Sequence, residues 1–230
     1  TETSINMYYN GKRIKIGVGI HDSSAALLPY VRSLRKQFIL ISTGTWSIAL
    51  NPFVKRTLSR KDVADDCINY MRINGKPVKS ARLFLGNEYS IQVKKLTEHY
   101  GVDKDYHKSV RFDPETHYKL VKVFQKMFHW ESIHNPDMPA KTHLPYLSFD
   151  QAYHQLMMEL VLLQVASIKS AKGKMTIEKL FVDGGFSDND IYIHLLSHHF
   201  RNMELRTTDS SLGSALGAAI CISDTQLNSK

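Results

Sequence analysis

Asp22 is an acidic residue placed where an apolar, glycine-punctuated segment gives way to small helix-forming residues, in the run IGVGIHDSSAA of residues 16–26. A carboxylate that leaves a strand into a turn can face a cleft and accept a proton from a substrate hydroxyl. We therefore predict that Asp22 is a general base. The alternative is that Asp22 only caps the helix beginning at Ser23 or Ser24, a common role for aspartate. His21 is expected to face the opposite side and to pack locally or contact substrate.

A second candidate site lies in residues 38–50 (FILISTGTWSIAL), where two β-rich runs are separated by a Ser-Thr-Gly-Thr turn. The pattern predicts a hairpin. Gly44 can adopt a positive φ and lets backbone N–H groups approach an anion. The hydroxyls of Ser42, Thr43 and Thr45 add hydrogen-bond donors to the same turn. Such a turn suits phosphate oxygens, although an ordinary hairpin would use the same small residues.

A third motif lies in residues 180–190 (LFVDGGFSDND), which are followed by apolar residues at helical spacing. The pattern predicts a strand, a Gly-Gly turn and a helix, with Ser187 as a natural N-cap. Gly184 and Gly185 remove side chains where a flat group could lie against the backbone, which is typical of a nucleotide floor. Other α/β proteins use such turns too, and the alternative for Asn189 is a solvated residue of the first helical turn.

Taken in this order, the three motifs resemble the FGGY carbohydrate kinases, which belong to the actin-like and hexokinase-like ATPase superfamily. The resemblance implies an α/β fold, namely an actin-like ATPase (ribonuclease H-like) domain with a mixed sheet flanked by helices and an α-helical insertion. It also implies a catalytic base, a second phosphate-binding loop and an adenosine-binding motif. These are, in order, Asp22; Gly44 and Thr45; and Gly184, Gly185 and Asn189.

The activity that the resemblance implies is transfer of the γ-phosphate of ATP to a hydroxyl of a ketose or deoxy-ketose. ATP and Mg²⁺ are the implied cofactors, and His21 is a weaker candidate for a sugar contact. No metal ligand is assigned within this chain, because the Mg²⁺ ligands are expected largely from another domain. Residues 43–47 (TGTWS) look most like the loop of rhamnulokinase and fuculokinase, whereas residues 82–89 (RLFLGNEY) match those relatives too loosely to name the sugar. The alternative is a nucleotide-binding scaffold or regulator of the same superfamily without sugar kinase activity.

The family is built from two domains of similar size, and this sequence contains no counterpart of the first. We therefore expect residues 1–21 to be the tail of a missing N-terminal sugar-binding domain, residues 22–224 to be the C-terminal nucleotide-binding domain, and residues 225–230 to be a frayed tail. The start at Thr1, without methionine, agrees with a C-terminal piece. The implied partners are the sugar and the missing domain, and the fragment alone is expected to be inactive. A homodimer is left open.

The composition is that of an ordinary globular domain, with 230 residues, 43% of them hydrophobic and 23% charged. No apolar run approaches the length of a membrane span and no signal-peptide pattern is visible, so a cytoplasmic protein without membrane contact is expected. The net charge of +8 is spread over solvated segments without a nucleic-acid-binding signature, which argues against a nucleic-acid partner. Cys67 and Cys221 are expected to stay reduced, and the 11 histidines show no metal-ligand spacing.

The elements that must position the three motifs follow from hydrophobic periodicity. Residues 8–13 and 73–76 each predict a hairpin turn, and residues 148–151 resemble the capping box of a long helix. Gly213 and Gly217 would let the last helix approach a neighbour closely. The other predicted elements are helices over residues 24–35, 83–100 and 119–130, a helix after the Gly-Gly turn and a short strand over residues 203–206.

Overall fold

The computed structural model describes residues 4–55, 58–72, 75–146, 148–208 and 213–223. Within these ranges the chain forms a six-stranded sheet with helices on both sides and a separate two-stranded hairpin. The strands are β1 (Ser4–Tyr9), β2 (Lys12–Gly17), β3 (Phe38–Thr43), β4 (Ser47–Asn51), β5 (Cys67–Met71), β6 (Pro77–Leu83), β7 (Lys179–Gly184) and β8 (Glu204–Thr208). The helices are α1 (Asp22–Ser33), α2 (Arg60–Ala64), α3 (Leu85–Tyr100), α4 (Pro114–Lys122), α5 (Phe149–Lys172), α6 (Asp190–His199) and α7 (Gly213–Ile222).

The six-stranded sheet is mixed, with the strand order β5-β6-β4-β3-β7-β8. Strands β3, β7 and β8 run parallel to one another, whereas β4, β6 and β5 extend the sheet from β3 in antiparallel pairs. Because parallel strands end at the same edge of a sheet, the turns that follow β3 and β7 emerge side by side. The predicted mixed sheet flanked by helices is confirmed, and the helical insertion lies between β6 and α5 and contains α3 and α4.

The central strand β3 is buried on both faces, which explains its continuous apolar run FILI. Ile39 and Ile41 belong to the core that includes α5, while Phe38 and Leu40 belong to a smaller core that includes α1. Each fully buried side chain of this size stabilises the fold by roughly 2 kcal/mol relative to an exposed one. The strand that leads into the predicted phosphate turn is therefore firmly held.

Helices α1 and α7 pack against each other at close range. A Cβ added at Gly217 would lie 1.8 Å from the carbonyl oxygen of Ala25, so only glycine fits at this contact. The predicted role of Gly217 in close packing is thus confirmed. Gly213 is buried and is the first residue of α7, whereas residues 209–212 lie outside the described residues.

Several predicted element positions are confirmed. The first predicted hairpin is present, with Asn10 and Gly11 at positive φ between β1 and β2. Helix α5 begins after Ser148, whose hydroxyl accepts a hydrogen bond from the Gln151 N–H at 3.3 Å. The strand predicted near residue 203 is β8, and the last predicted helix is α7. Of the second predicted hairpin turn, residues 73–74 lie outside the described residues, while the flanking strands β5 and β6 pair antiparallel.

The predicted helix over residues 119–130 is wrong after Lys122, which is most of its length, and the observed helix begins earlier, at Pro114. Helix α4 ends at Lys122, and the following segment has no regular secondary structure. The N–H groups of Met127 and Phe128 donate instead to the carboxylate of Glu159 in α5, at 2.7 and 3.3 Å. A buried side chain thus supplies the acceptors that helical carbonyl groups would have provided.

The expected frayed tail, residues 225–230, lies outside the described residues, as do residues 1–3. Cys67 and Cys221 are free thiols, as the sequence predicts. In the described ranges, none of the helices has the length and apolar character needed to span a bilayer.

Candidate functional site

A cleft of about 600 Å³ lies where the ends of β3 and β7 meet the first turn of α1. The candidate base Asp22 and residues of both predicted turns line this cleft, although they are far apart in sequence. The candidate residues in the lining are His21, Asp22, Gly44, Thr45 and Gly184. Other residues in the lining include Ser42, Thr43, Ile48, Tyr70, Arg82 and Asp183. The fold therefore brings the acidic motif and both glycine-bearing turns to one place.

Asp22 is the first residue of α1 and keeps an exposed carboxylate, with 77% of its side chain accessible. Its Oδ1 accepts a hydrogen bond from the Ser23 N–H at 2.6 Å. The hydroxyl of Ser214 in α7 donates to the Asp22 carbonyl at 3.2 Å and ties the helix start to its neighbour. Asp22 thus contacts the helix terminus, as the capping alternative expects, while its carboxylate stays open to the cleft.

His21 lies on the same side as Asp22, so the expectation that the two side chains face opposite sides is wrong. Strand β2 ends at Gly17, and strand alternation does not extend to His21, which occupies the N-cap position of α1. Its Nδ1 lies 2.8 Å from Oδ1 of Asp22, and its ring stacks on Tyr70 with 5.7 Å between the ring centroids. The Ser23 N–H is 3.3 Å from the same nitrogen, so Nδ1 is better placed to donate to Asp22 than to cap the helix.

The turn of Gly44 and Thr45 connects β3 and β4 as a hairpin, as predicted. The Gly44 N–H donates to the carbonyl of Trp46 at 2.8 Å and closes the turn. The start of α3 supports it, because the Asn87 N–H donates to the Thr45 carbonyl at 3.1 Å. A Cβ on Gly86 would lie 1.9 Å from the Gly44 carbonyl oxygen, which shows how closely α3 approaches. A Cβ on Gly44 would meet no described atom closer than 4.0 Å, so its cleft side is open to a ligand.

Thr43 joins this turn to the Gly-Gly turn after β7. Its hydroxyl donates to the Asp183 carbonyl at 2.6 Å and accepts a hydrogen bond from the Phe186 N–H at 3.1 Å. Its carbonyl oxygen accepts from the Gly185 N–H at 3.0 Å. The Thr43 hydroxyl is engaged as both donor and acceptor, so the expectation that it is a free donor for phosphate is wrong.

The two glycines at the end of β7 have different structural roles. Gly184 has φ +90°, and a Cβ there would lie 1.9 Å from the Thr43 carbonyl oxygen, so another residue would force the two turns apart. Gly185 is exposed, and a Cβ there would meet no described atom within 4 Å. Gly184 therefore fixes how the two strand ends pack, whereas Gly185 presents bare backbone at the surface.

Asn189, and not Ser187, is the N-cap of α6, because two successive turns delay the start of the helix. Its Oδ1 accepts from the Tyr192 N–H at 2.9 Å, and its Nδ2 donates to the hydroxyl of Tyr153 at 2.8 Å. The hydroxyls of Tyr153 and Tyr89 share a further hydrogen bond of 2.8 Å. Asn189 is therefore a half-buried, fully engaged cap rather than a solvated residue, and it is not among the described residues that line the cleft.

A row of paired residues crosses the sheet beside the cleft. Ser42 of β3 pairs with both Ile48 of β4 and Asp183 of β7. Ile48 in turn pairs with Arg82 of β6. Paired residues share one face of a sheet, and all four line the cleft. Sequence reasoning gave neither Asp183 nor Arg82 a role; Asp183 could have been found from its place before Gly184, whereas Arg82 requires knowledge of the strand register.

Burial shifts two titratable groups of the cleft. Asp183 is only 5% exposed, and burial raises the pKa of its carboxyl although hydrogen bonds to the carboxylate oppose this. Its Oδ1 has no hydrogen-bond partner among the described residues. Burial also raises the pKa of the Tyr70 hydroxyl; the charge of Arg82 lowers it and that of Asp22 raises it. Tyr70 is therefore within electrostatic range of both charges.

The chain has 11 histidines, and their grouping with other metal-binding side chains can be compared over the described residues. Over the residues that the structure describes, no three His, Cys, Asp or Glu side chains are grouped so that they could hold a metal ion. The adjacent rings of His198 and His199 lie at 89° to each other, with 6.2 Å between their centroids. A metal ion in the cleft would therefore need further ligands, such as phosphate oxygens.

The mixed sheet, with its cleft at the carboxyl ends of parallel strands, has the architecture of the actin-like ATPase fold, and solved carbohydrate kinases share it. A carbohydrate kinase from Novosphingobium aromaticivorans aligns with a TM-score of 0.60 over 89% of this chain and 44% of that chain, at 20% identity. A ligand-bound xylulose kinase from Lactobacillus acidophilus aligns with a TM-score of 0.60 over 90% of this chain and 42% of that chain, at 12% identity. Plasmodium falciparum glycerol kinase with ADP aligns with a TM-score of 0.56 over 91% of this chain and 42% of that chain, at 15% identity. At such low identities these likenesses establish the fold.

The family model described as the C-terminal domain of carbohydrate kinase FGGY matches residues 35–117. Residues 35–117 are therefore similar to the C-terminal domain of the FGGY carbohydrate kinases, and the fold of the described residues is similar to that of solved carbohydrate kinases. The chain spans less than half the length of the solved kinases that it matches. No curated protein is significantly similar to it in sequence. The closer likeness to rhamnulokinase and fuculokinase stays a prediction.

Proposed function

We propose that the chain is the ATP-binding C-terminal portion of a sugar kinase, which transfers the γ-phosphate of ATP to a hydroxyl of a ketose or deoxy-ketose. One observation supports this most strongly: Asp22 and the two glycine-bearing turns line a single cleft. Phosphoryl transfer to a hydroxyl needs a base beside the bound phosphates, which separate sites would not provide. The shared fold with an ADP-bound glycerol kinase supports a nucleotide as one substrate.

In this proposal Asp22 accepts the proton of the sugar hydroxyl as the oxygen attacks the γ-phosphorus. The exposed carboxylate can be reached by a hydroxyl group from the cleft. Oδ1 of Asp22 lies 2.8 Å from Nδ1 of His21 and accepts a hydrogen bond from the Ser23 N–H at 2.6 Å. Oδ2 is therefore the oxygen that would accept the proton. Positioning supplies much of the acceleration in such reactions, so a base held on a helix start suits the task.

The turn of Gly44 and Thr45 would hold the terminal phosphates. Because the Gly44 N–H is used inside the turn, Gly44 contributes an unobstructed approach and Thr45 contributes the hydroxyl donor. Gly184 and Gly185 would border the adenosine, with the bare backbone of Gly185 as the flat surface. Asn189 would act by fixing the start of α6 beside the adenosine, since both ends of its amide are bonded within the protein.

The cleft also fits Mg²⁺. This ion prefers oxygen ligands and is usually held by one or two carboxylates together with phosphate oxygens and water. Asp22 and Asp183 bring carboxylates to the cleft, and Oδ1 of Asp183 lacks a partner among the described residues. Bound Mg²⁺ would neutralise charge on the phosphates of ATP. Its remaining ligands are expected from phosphate, water and the domain outside this chain.

The hairpin of β1 and β2 supports the assignment of residues 1–21 to the tail of a preceding sugar-binding domain. Its pairing places Ile5, Met7, Ile14 and Ile16 on one face, and these side chains are 64%, 44%, 40% and 39% exposed. An isolated two-stranded hairpin is only marginally stable in water, and a continuous apolar face favours a covering partner. The preceding domain would cover this face and supply most of the sugar contacts.

The proposal is tested by measuring ADP release from the full-length protein with a panel of ketoses and deoxy-ketoses. Asp22→Asn preserves the side-chain shape but removes its basicity, so turnover should fall about 10³-fold while nucleotide binding is retained. Asp188→Asn, at an exposed carboxylate outside the cleft lining, is the matched control and should keep full turnover. Unchanged turnover in Asp22→Asn would remove the base assignment. A protein that binds ATP but releases no ADP with any sugar would favour the scaffold alternative.

A further inference from the structure

Arg82 and Asp22 both line the cleft. Arg82 is placed on β6, two strands from Ser42, so their backbones are roughly 10 Å apart at the usual spacing of about 4.8 Å per strand. Arg82 also lines an adjoining cavity together with Asp66 and Trp46. Tyr70 lines the same cleft as Asp22, and its ring stacks on that of His21, the neighbour of Asp22, with 5.7 Å between the ring centroids.

The cleft contains more acidic than basic side chains. Among the described residues of the lining, Arg82 is the one lysine or arginine, whereas Asp22 and Asp183 are carboxylates. A triphosphate that enters the cleft would be repelled by these acids unless cations compensate. Mg²⁺ can supply part of this compensation, and a guanidinium supplies a permanent charge with planar donors that match phosphate oxygens.

The guanidinium of Arg82 is held in place but keeps unused donors. Its Nη2 donates to Oδ1 of Asp66 at 2.6 Å, and its Cζ lies 5.6 Å from the centre of the Trp46 ring. Trp46 is itself packed on Phe84, with 4.5 Å between the ring centroids. Nε of Arg82 is buried without a partner among the described residues, which is uncommon for a polar atom. A guanidinium has five N–H donors, so the ion pair with Asp66 leaves most of them for a second anion.

We propose that Arg82 binds the terminal phosphate of ATP, the group that is transferred, at the Asp22 end of the cleft. This inference rests on the proposed function. The guanidinium would donate to the outer oxygens of the phosphoryl group, whose charge it offsets while Asp22 accepts the proton of the attacking hydroxyl. ADP lacks this phosphate, so the contact should distinguish ATP from ADP.

Isothermal titration of the full-length protein with MgATP and with MgADP isolates the contribution of the third phosphate. In Arg82→Gln the affinity for MgATP should fall about tenfold, because one charge-assisted contact contributes on this scale, while the affinity for MgADP should change less than about twofold. Arg206→Gln is the matched control. Arg206 also lies on a strand of this sheet and pairs with Glu204, but it is outside the cleft lining, so both affinities should stay unchanged.

Two further variants keep the test decisive if Arg82→Gln disturbs the fold, which the unfolding midpoint reports. Arg82→Lys retains the charge and should recover part of the MgATP affinity. Asp66→Asn removes the ion pair but leaves the guanidinium, so the discrimination between MgATP and MgADP should persist. Equal losses for both nucleotides in folded variants, or no loss at all, would overturn the role of Arg82. A wild-type protein that binds neither nucleotide would instead overturn the proposed function together with this inference.

Discussion

Acidic side chains have different surroundings in two regions of the molecule. One region is the cleft, and the other is the part of the helical insertion that follows α4, residues 123–146, which we call the insertion segment. In the cleft, Asp22 is largely exposed and Asp183 keeps one oxygen without a partner among the described residues. At the insertion segment, Glu88 and Glu159 are buried, and both accept hydrogen bonds from backbone N–H groups of that segment. The carboxylates that hold the fold are satisfied, whereas those in the cleft retain capacity to bind a ligand.

The two buried glutamates also differ from each other. Burial acts to raise the pKa of Glu88, but hydrogen bonds from Gln92, Ser132 and the Glu131 N–H outweigh it and leave the pKa below its usual value. For Glu159, burial prevails over hydrogen bonds from Gln155 and two backbone N–H groups, and raises the pKa to about 6. The balance between burial and donated hydrogen bonds thus sets the direction in which the pKa of each carboxyl is shifted.

The largest expected effect on stability is that of Glu88→Ala. The substitution leaves the Ser132 N–H and hydroxyl, the Glu131 N–H and the Gln92 amide facing a cavity without their acceptor. The free energy of unfolding, measured by urea denaturation, should fall by about 4 kcal/mol. Glu98→Ala on the same helix is the control and should cost less than about 0.5 kcal/mol, because its ion pair with Lys94 is exposed. Similar losses in both variants would contradict the structural role of Glu88.

Gly184→Ala should have the next largest effect on stability, and comparing it with Gly185→Ala separates the roles of the two glycines. Alanine at φ +90° is strained, and its Cβ would overlap the Thr43 carbonyl oxygen, so unfolding should become easier by about 3 kcal/mol. Gly185→Ala, with open space around the new methyl group, should change stability by less than about 1 kcal/mol. Thermal unfolding of the two variants checks this difference. If Gly185→Ala were the more damaging of the pair, the close packing of Gly184 on Thr43 would be refuted.

The pH dependence of the free energy of unfolding should show the raised pKa of Glu159. Its pKa is about 6 in the folded chain against 4.5 for the ordinary group, so the folded state binds more protons between these values. The free energy of unfolding should therefore fall by about 2 kcal/mol in total as the pH rises through this window, and the loss should be complete about one unit above the folded-state pKa. Glu159→Gln should lack this contribution, and the difference between the two pH profiles isolates it. A difference that does not vary over this window would disagree with a raised pKa.

Asp22→Asn should have the smallest effect on stability. The side chain is exposed, and asparagine can still accept the hydrogen bond from the Ser23 N–H, so the change should stay within about 0.5 kcal/mol. The unfolding midpoint in urea measures this. A loss above about 2 kcal/mol would place Asp22 with the carboxylates that hold the fold, and the distinction between the two regions would fail.

The sequence predicts the framework of the cleft well because its signals are local. Strand ends, the Gly44 turn and the Gly-Gly turn are marked by β-rich runs and small residues, and parallel strands place such turns together. The different roles of Gly184 and Gly185 could not be predicted from such local signals. Only the distance between Gly184 and Thr43 shows that one glycine is required by packing and the other is not.

The features that the sequence did not reveal depend on contacts between distant segments. The helix expected up to residue 130 ends at Lys122, because the N–H groups of Met127 and Phe128 donate to the carboxylate of Glu159. His21 faces the cleft because β2 ends before it, and Arg82 enters the cleft through the register of β6 against β4. No local pattern encodes a strand register or a buried side chain that replaces helical hydrogen bonds.

The central claim is that Asp22 and the two turns form one site for phosphoryl transfer. A crystal structure of the full-length protein with MgADP and a bound ketose tests it most directly. We expect phosphate oxygens within hydrogen-bond distance of Thr45, with Asp22 facing the sugar hydroxyl across the cleft. Phosphates bound elsewhere, or a sugar hydroxyl beyond the reach of Asp22, would contradict the account.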